Sequence, residues 1–157
     1  MRKIEEVIND TLKDDMWKNA LDFIGHLRAD EGFSVSNEKE GDKSFWVKYK
    51  GKLVCEISMN GSENFSKVWT VWVYGDCIGE HEDSSVSEGV KAVAWASITP
   101  CRNCGAECSP GRRKTVFGKA FDNVCQTTLM FENPDTETLD CMKKIVDISK
   151  KDILSRT

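Results

Sequence analysis

The stretch Ser44-Phe45-Trp46-Val47-Lys48-Tyr49-Lys50-Gly51-Lys52-Leu53-Val54-Cys55-Glu56-Ile57-Ser58-Met59 decides the fold class. Over residues 44–50, Phe45, Val47 and Tyr49 share one face, and Trp46, Lys48 and Lys50 share the other. A period of two marks a half-buried strand. Gly51-Lys52 reads as a two-residue turn, because a leading Gly suits type II′ geometry. The return strand places Leu53, Cys55, Ile57 and Met59 on one face and Val54, Glu56 and Ser58 on the other. One covered face and one half-polar face point to an antiparallel sheet.

Outward from this hairpin, residues 68–74 are apolar on both faces and read as a central strand. Residues 33–36 read as an edge strand. Residues 124–131 read as a further strand, with Cys125, Thr127, Leu129 and Phe131 on one face. Helical spacing appears in three places. Met16, Ala20, Phe23 and Leu27, widened by Trp17, Leu21 and Ile24, form a stripe after Asp14 or Asp15 as cap, and Gly32 ends it. Ile4, Val7 and Ile8 form the apolar side of a separate turn before it. Ser85 to Glu88 has capping-box spacing and opens a helix with Val86, Val90 and Val93 on one side, stopped by Thr99-Pro100. Pro134 suits a first helical position ahead of Leu139, Met142, Val146 and Ile153. The expected fold is one α+β domain over residues 1–157. Its antiparallel sheet of about five strands packs with N-terminal, middle and C-terminal helices.

The chain has 157 residues, a formal charge of −4, 39% hydrophobic and 31% charged residues, which fits a soluble globular protein and excludes intrinsic disorder. The negative balance weighs against general nucleic-acid binding. Residues 1–15 are acidic and lack a signal-peptide core, and no run is long enough to span a bilayer. The expected location is cytoplasmic, with no membrane partner. Thiols stay reduced there, so seven cysteines are not a disulfide framework, and an odd number leaves one unpaired under any intramolecular scheme.

Residues 101–120 show neither hydrophobic period and carry the chemistry. Cys101-Arg-Asn-Cys104-Gly-Ala-Glu-Cys108 gathers three thiols, and Cys125 follows on the predicted strand. A Cys-x-x-Cys turn lets two thiolates share a tetrahedral centre. Cys108 and Cys125 would complete a structural zinc site, with the nearby Arg and Lys residues offsetting four thiolate charges. Cys141 is an alternative fourth ligand. The competing readings are inert buried thiols, a redox pair at Cys101 and Cys104, or an iron–sulfur cluster. Cys55 faces the core and reads as structural.

Ser109-Pro-Gly-Arg112-Arg113-Lys114-Thr115 has the look of a phosphate loop but lacks Gly-x-x-x-x-Gly-Lys-Ser/Thr spacing. Its three adjacent cations suit an anion or a solvated loop. His81, among Glu80, Glu82 and Asp83, reads as an exposed acidic loop, with divalent-ion binding as the alternative. Two histidines with no partner at a recognisable spacing give no catalytic triad. Trp46 and Trp72 on predicted strands either pack under a second layer or line a ligand site.

Cys101-Arg-Asn-Cys104-Gly, then Arg113-Lys-Thr-Val-Phe-Gly118-Lys-Ala-Phe-Asp-Asn-Val-Cys125, then Phe131-Glu-Asn-Pro-Asp135, resembles a family of small Cys-containing proteins from anaerobic Gram-positive bacteria with no assigned activity. The resemblance covers most of the chain and is clearest over residues 101–153. It implies that Cys101, Cys104, Cys108 and Cys125 form one module with the last strand and helix, and it supplies no catalytic residue. The expected function is a binding module with a structural zinc-thiolate site, its ligand held near Trp46, Trp72, Arg112, Arg113 and Lys114. That ligand would be a small anionic or aromatic molecule. The alternatives are a thiol redox or metal-dependent enzyme using Cys101 and Cys104, and nucleic-acid or phosphate binding through residues 112–114.

Overall fold

The computed structural model describes residues 3–37, 43–59, 69–74, 86–102 and 108–156. Helices α1 (Ile4–Thr11) and α2 (Asp14–Arg28) precede strands β1 (Phe33–Ser36), β2 (Ser44–Tyr49), β3 (Lys52–Met59) and β4 (Trp69–Val73). Helix α3 (Glu88–Ala96) leads to β5 (Ile98–Pro100), β6 (Arg112–Val116), β7 (Lys119–Glu132) and α4 (Thr136–Ser155). The seven strands form one sheet in the order β1-β2-β3-β4-β7-β5, with β6 also on β7, and every pairing is antiparallel. The α+β class therefore holds, with β5 and β6 added to the five expected strands.

β4 is central, as its two apolar faces require: Trp69, Val71 and Val73 are wholly buried between β3 and β7. Phe45, Val47, Ile57, Val71 and Phe131 form one face of the core. Ile8, Phe23, Leu27, Val90, Met142 and Val146 from the four helices belong to the same buried cluster. α2 and α4 run side by side in the same direction. Asp22 meets Lys143 at 2.7 Å, His26 meets Asp147 at 3.0 Å, and Asp30 pairs with Lys150. No helix among the described residues is long and apolar enough to cross a membrane.

The local geometry departs from the sequence reading where backbone conformation overrides alternation. The β2–β3 turn is Lys50-Gly51, not Gly51-Lys52, with φ of 48° and 85°, so both central residues are left-handed as in a type I′ turn. A bulge follows: Val47 pairs with Cys55 but Lys48 with Leu53, and the extra residue, Val54, is fully buried while Leu53 is only half-buried. Met16 and Trp17, expected in the core stripe, are exposed, and the Trp17 indole N–H donates to Asn9 Oδ1 at 2.8 Å. α2 starts without a side-chain cap and ends at Arg28, four residues before Gly32. Gly32 is required for another reason: a Cβ there would lie 2.3 Å from the Tyr49 ring. Ser87, not Ser85, caps α3, accepting from the Val90 N–H at 3.3 Å. Asp135, not Pro134, opens α4, accepting from the Thr138 N–H at 2.8 Å.

The largest difference lies in the segment read as irregular. Residues 112–120 form a hairpin around Phe117-Gly118, whose φ values of 48° and 80° repeat the left-handed pair at Lys50-Gly51. Phe117 is 2% exposed, and burial of its ring offsets the cost of a non-glycine left-handed residue. The hairpin docks on α3, where the Trp95 indole N–H donates to the Val116 carbonyl at 2.7 Å and the Lys119 ammonium lies 5.2 Å over the Trp95 ring. Strand polarity hid this element, since Arg112, Arg113 and Lys114 give no apolar alternation.

Candidate functional site

The sheet face opposite the helices carries an in-register row across five strands. Ser36 pairs with Trp46, Trp46 with Glu56, Glu56 with Trp72, and Trp72 with Met130. Paired residues point to the same side of a sheet, so two indoles flank one carboxylate. All four residues from Trp46 to Met130 are half-buried, whereas Ser58 and Thr70, farther along the same face, are buried. The row is thus the accessible part of that face. Strand spacing puts β2 and β4 about 9.5 Å apart, so the two tryptophans stand on either side of Glu56, one strand away from it each.

The surroundings of Glu56 are polar and held. The Tyr74 hydroxyl donates to Glu56 Oε2 at 3.4 Å. Burial first, and then the neighbouring Glu56 charge, push the Tyr74 phenol up to about 12, so it remains a donor at neutral pH. Lys48 lies on the same face, with its ammonium 5.2 Å from the Trp46 ring centroid. Trp46 and Trp72 therefore share one sheet face, separated by the width of β3. Glu56 and Tyr74 were missed; Glu56 was legible as the polar residue alternating with Cys55 and Ile57.

The cations expected beside these tryptophans sit elsewhere, on β6. Ser109, Pro110, Arg112, Lys114, Val124 and Gln126 line a separate recess of about 100 Å³. The Lys114 ammonium donates to the Gln126 carbonyl at 3.1 Å and to Thr128 Oγ1 at 2.7 Å. It thereby holds a distorted stretch of β7, where Asn123 and Thr128 have φ of 54° and 70°. Left-handed φ is unusual for a β-branched residue and persists only when its surroundings enforce it. Arg113 does not line the recess; its guanidinium faces Asp122 at 3.8 Å, with both side chains exposed.

The cysteines divide by environment. Cys55 is fully buried, and desolvation pushes its thiol far up, as befits an inert core residue. Cys125 is half-buried. Burial alone would raise its thiol, but the Thr127 hydroxyl at 3.4 Å, the Thr127 and Gln126 backbone and the Lys114 charge outweigh it and leave the thiol below its ordinary range. Cys141 on α4 is held above that range, chiefly by burial. The Cys101 N–H donates to the Asn123 carbonyl at 2.8 Å, which ties its backbone two residues from Cys125. Cys108 is exposed. Among the described residues, no three His, Cys, Asp or Glu side chains gather as metal ligands. Cys104 lies outside the described residues, as do His81 and its acidic neighbours.

No protein-family model matches the chain, and neither a characterised protein nor a solved structure matches it at a significant level.

Proposed function

We propose that the chain is a binding module that holds a small flat aromatic molecule over Glu56, between Trp46 and Trp72. The observation that carries this reading is the register Trp46–Glu56–Trp72 on an accessible sheet face. Indole rings supply stacking surface, and a carboxylate between them accepts hydrogen bonds from ring or exocyclic N–H groups. The Tyr74 hydroxyl orients the carboxylate and fills one of its acceptor positions. Such a site favours amino-substituted heteroaromatic rings over plain hydrocarbons, because an N–H edge can donate to a carboxylate and a hydrocarbon edge cannot.

Titration with 2-aminobenzimidazole, followed by tryptophan fluorescence, tests this. The expected result is saturable quenching that weakens about tenfold or more in Trp72→Ala and in Glu56→Gln, one lost charge-assisted contact being worth that much. Quenching that persists unchanged in both variants would place the ligand elsewhere and end the proposal.

A structural zinc at Cys101, Cys104, Cys108 and Cys125 is a separate proposal, supported by the tie between Cys101 and the strand that carries Cys125. Elemental analysis of chelator-free protein decides it. One zinc per chain that is lost in Cys104→Ser supports the site; protein that folds without metal removes it.

A further inference from the structure

The recess beside β6 has a composition unlike the rest of the molecule. Of its six lining residues two are cations, one is a hydroxyl, one is a primary amide and none is a carboxylate. In a chain of net charge −4 this is a locally positive concavity. Its two cations do different work. The Lys114 ammonium is turned into the wall, toward the Gln126 carbonyl and Thr128 Oγ1, and contributes charge and rigidity. Arg112 sits at the exposed start of β6 and, among the described residues, forms no ion pair with a carboxylate. Arg113, its neighbour in sequence, lies outside the recess and is engaged with Asp122.

Size narrows the occupant. About 100 Å³ is well below the few hundred that a drug-sized molecule needs. A cavity of about 150 Å³ takes a benzene ring, so a recess of about 100 Å³ suits a smaller group, of the size of one tetrahedral oxyanion. Guanidinium, hydroxyl and amide N–H groups are the donors such an anion takes, and a guanidinium can offer two parallel N–H groups at once. We propose that this recess binds a single phosphate-like oxyanion, free or as the phosphoryl group of a larger molecule, through Arg112, Ser109 and Gln126, with Lys114 as a fixed background charge. It shares no lining residue with the Trp46–Glu56–Trp72 row, so its fate is independent of the aromatic-ligand reading.

The test is a titration of the full chain with inorganic phosphate, and separately with phenyl phosphate, at constant ionic strength held by chloride, read by backbone amide NMR shifts. Saturable shifts at residues 109, 112 and 126 are expected, with affinity falling about tenfold in Arg112→Gln. Arg113→Gln removes the same charge one residue away and should leave affinity within about twofold, the size of a screened surface effect. Equal binding of both probes supports a phosphoryl group as the ligand. Tighter binding of phenyl phosphate supports a larger phosphorylated molecule, its ring lying outside the mouth. Chloride reproducing the shifts, or equal losses in Arg112→Gln and Arg113→Gln, would reduce the recess to a diffuse positive field and overturn the proposal.

Discussion

At the scale of single residues, two half-buried cysteines separate chemistry from packing. Cys125 and Cys141 have similar exposure, yet the Cys125 thiolate is supported by the Thr127 hydroxyl, backbone N–H groups and Lys114, whereas burial disfavours that of Cys141. The thiolate is the reactive form. In metal-free protein Cys125 is therefore expected to alkylate ahead of Cys141 at pH 7. The gap should narrow only as the pH climbs above the ordinary thiol range near 8.5 and Cys141 in turn ionises. Peptide mapping after iodoacetamide pulses checks this, and Thr127→Val should slow Cys125 alone. Equal rates at pH 7 would remove the environmental argument. Sequence spacing grouped Cys101, Cys104, Cys108 and Cys125, but spacing carries no information on which thiol meets a hydroxyl two residues along a bent strand.

At the scale of elements, the seam between α2 and α4 is electrostatic along its exposed side. The Lys150 hydrogen bond holds the Asp30 carboxyl below its usual range, and the same bond holds the Lys150 ammonium above its own. A depressed carboxyl contributes stability above its unfolded value near 3.9, which is lost as pH falls through the folded value. A raised ammonium contributes below its unfolded value near 10.4, and that contribution is lost as pH rises through the folded one. The pair thus works across the neutral range and fails at both ends. Asp30→Asn should lower the thermal midpoint at pH 7, and its difference from the parent chain should shrink below about pH 4. A difference that stays constant down to pH 2.5 would show that the carboxylate charge is not what the seam uses. Helical period foretold the inner face of α4 and that of α2 from Ala20 to Leu27, but not at Met16 and Trp17. The parallel run of the two helices, and so this seam, follows from the sheet order that separates residue 30 from residue 150.

At the scale of the whole molecule, one core joins all four helices to the inner face of the sheet. Ile57 is wholly buried on β3, paired with Phe45 on one side and Val71 on the other. Ile57→Ala should cost about 2–5 kcal/mol, the range for large-to-small changes where the surroundings cannot collapse. Leu53→Ala, on the same strand but beyond the bulge and half-buried, should cost distinctly less. Denaturant unfolding of the two variants measures the contrast. Equal losses would mean that Leu53, not Val54, faces the core.

Sequence by itself determined the fold class, the inner-face residues of β2 and the central place of β4, because period-two alternation and a strand apolar on both faces record burial directly. It also determined Leu139, Met142, Val146 and Ile153 as the buried side of α4, through the helical period. Tertiary structure alone decided three matters. The left-handed pairs at Lys50-Gly51 and Phe117-Gly118 depend on backbone angles that strand docking enforces. The exchange of Leu53 for Val54 arises from a bulge, which moves side chains between faces without altering composition. The candidate site divided into an aromatic row and a cationic recess because cross-strand register, not distance along the chain, sets which side chains meet.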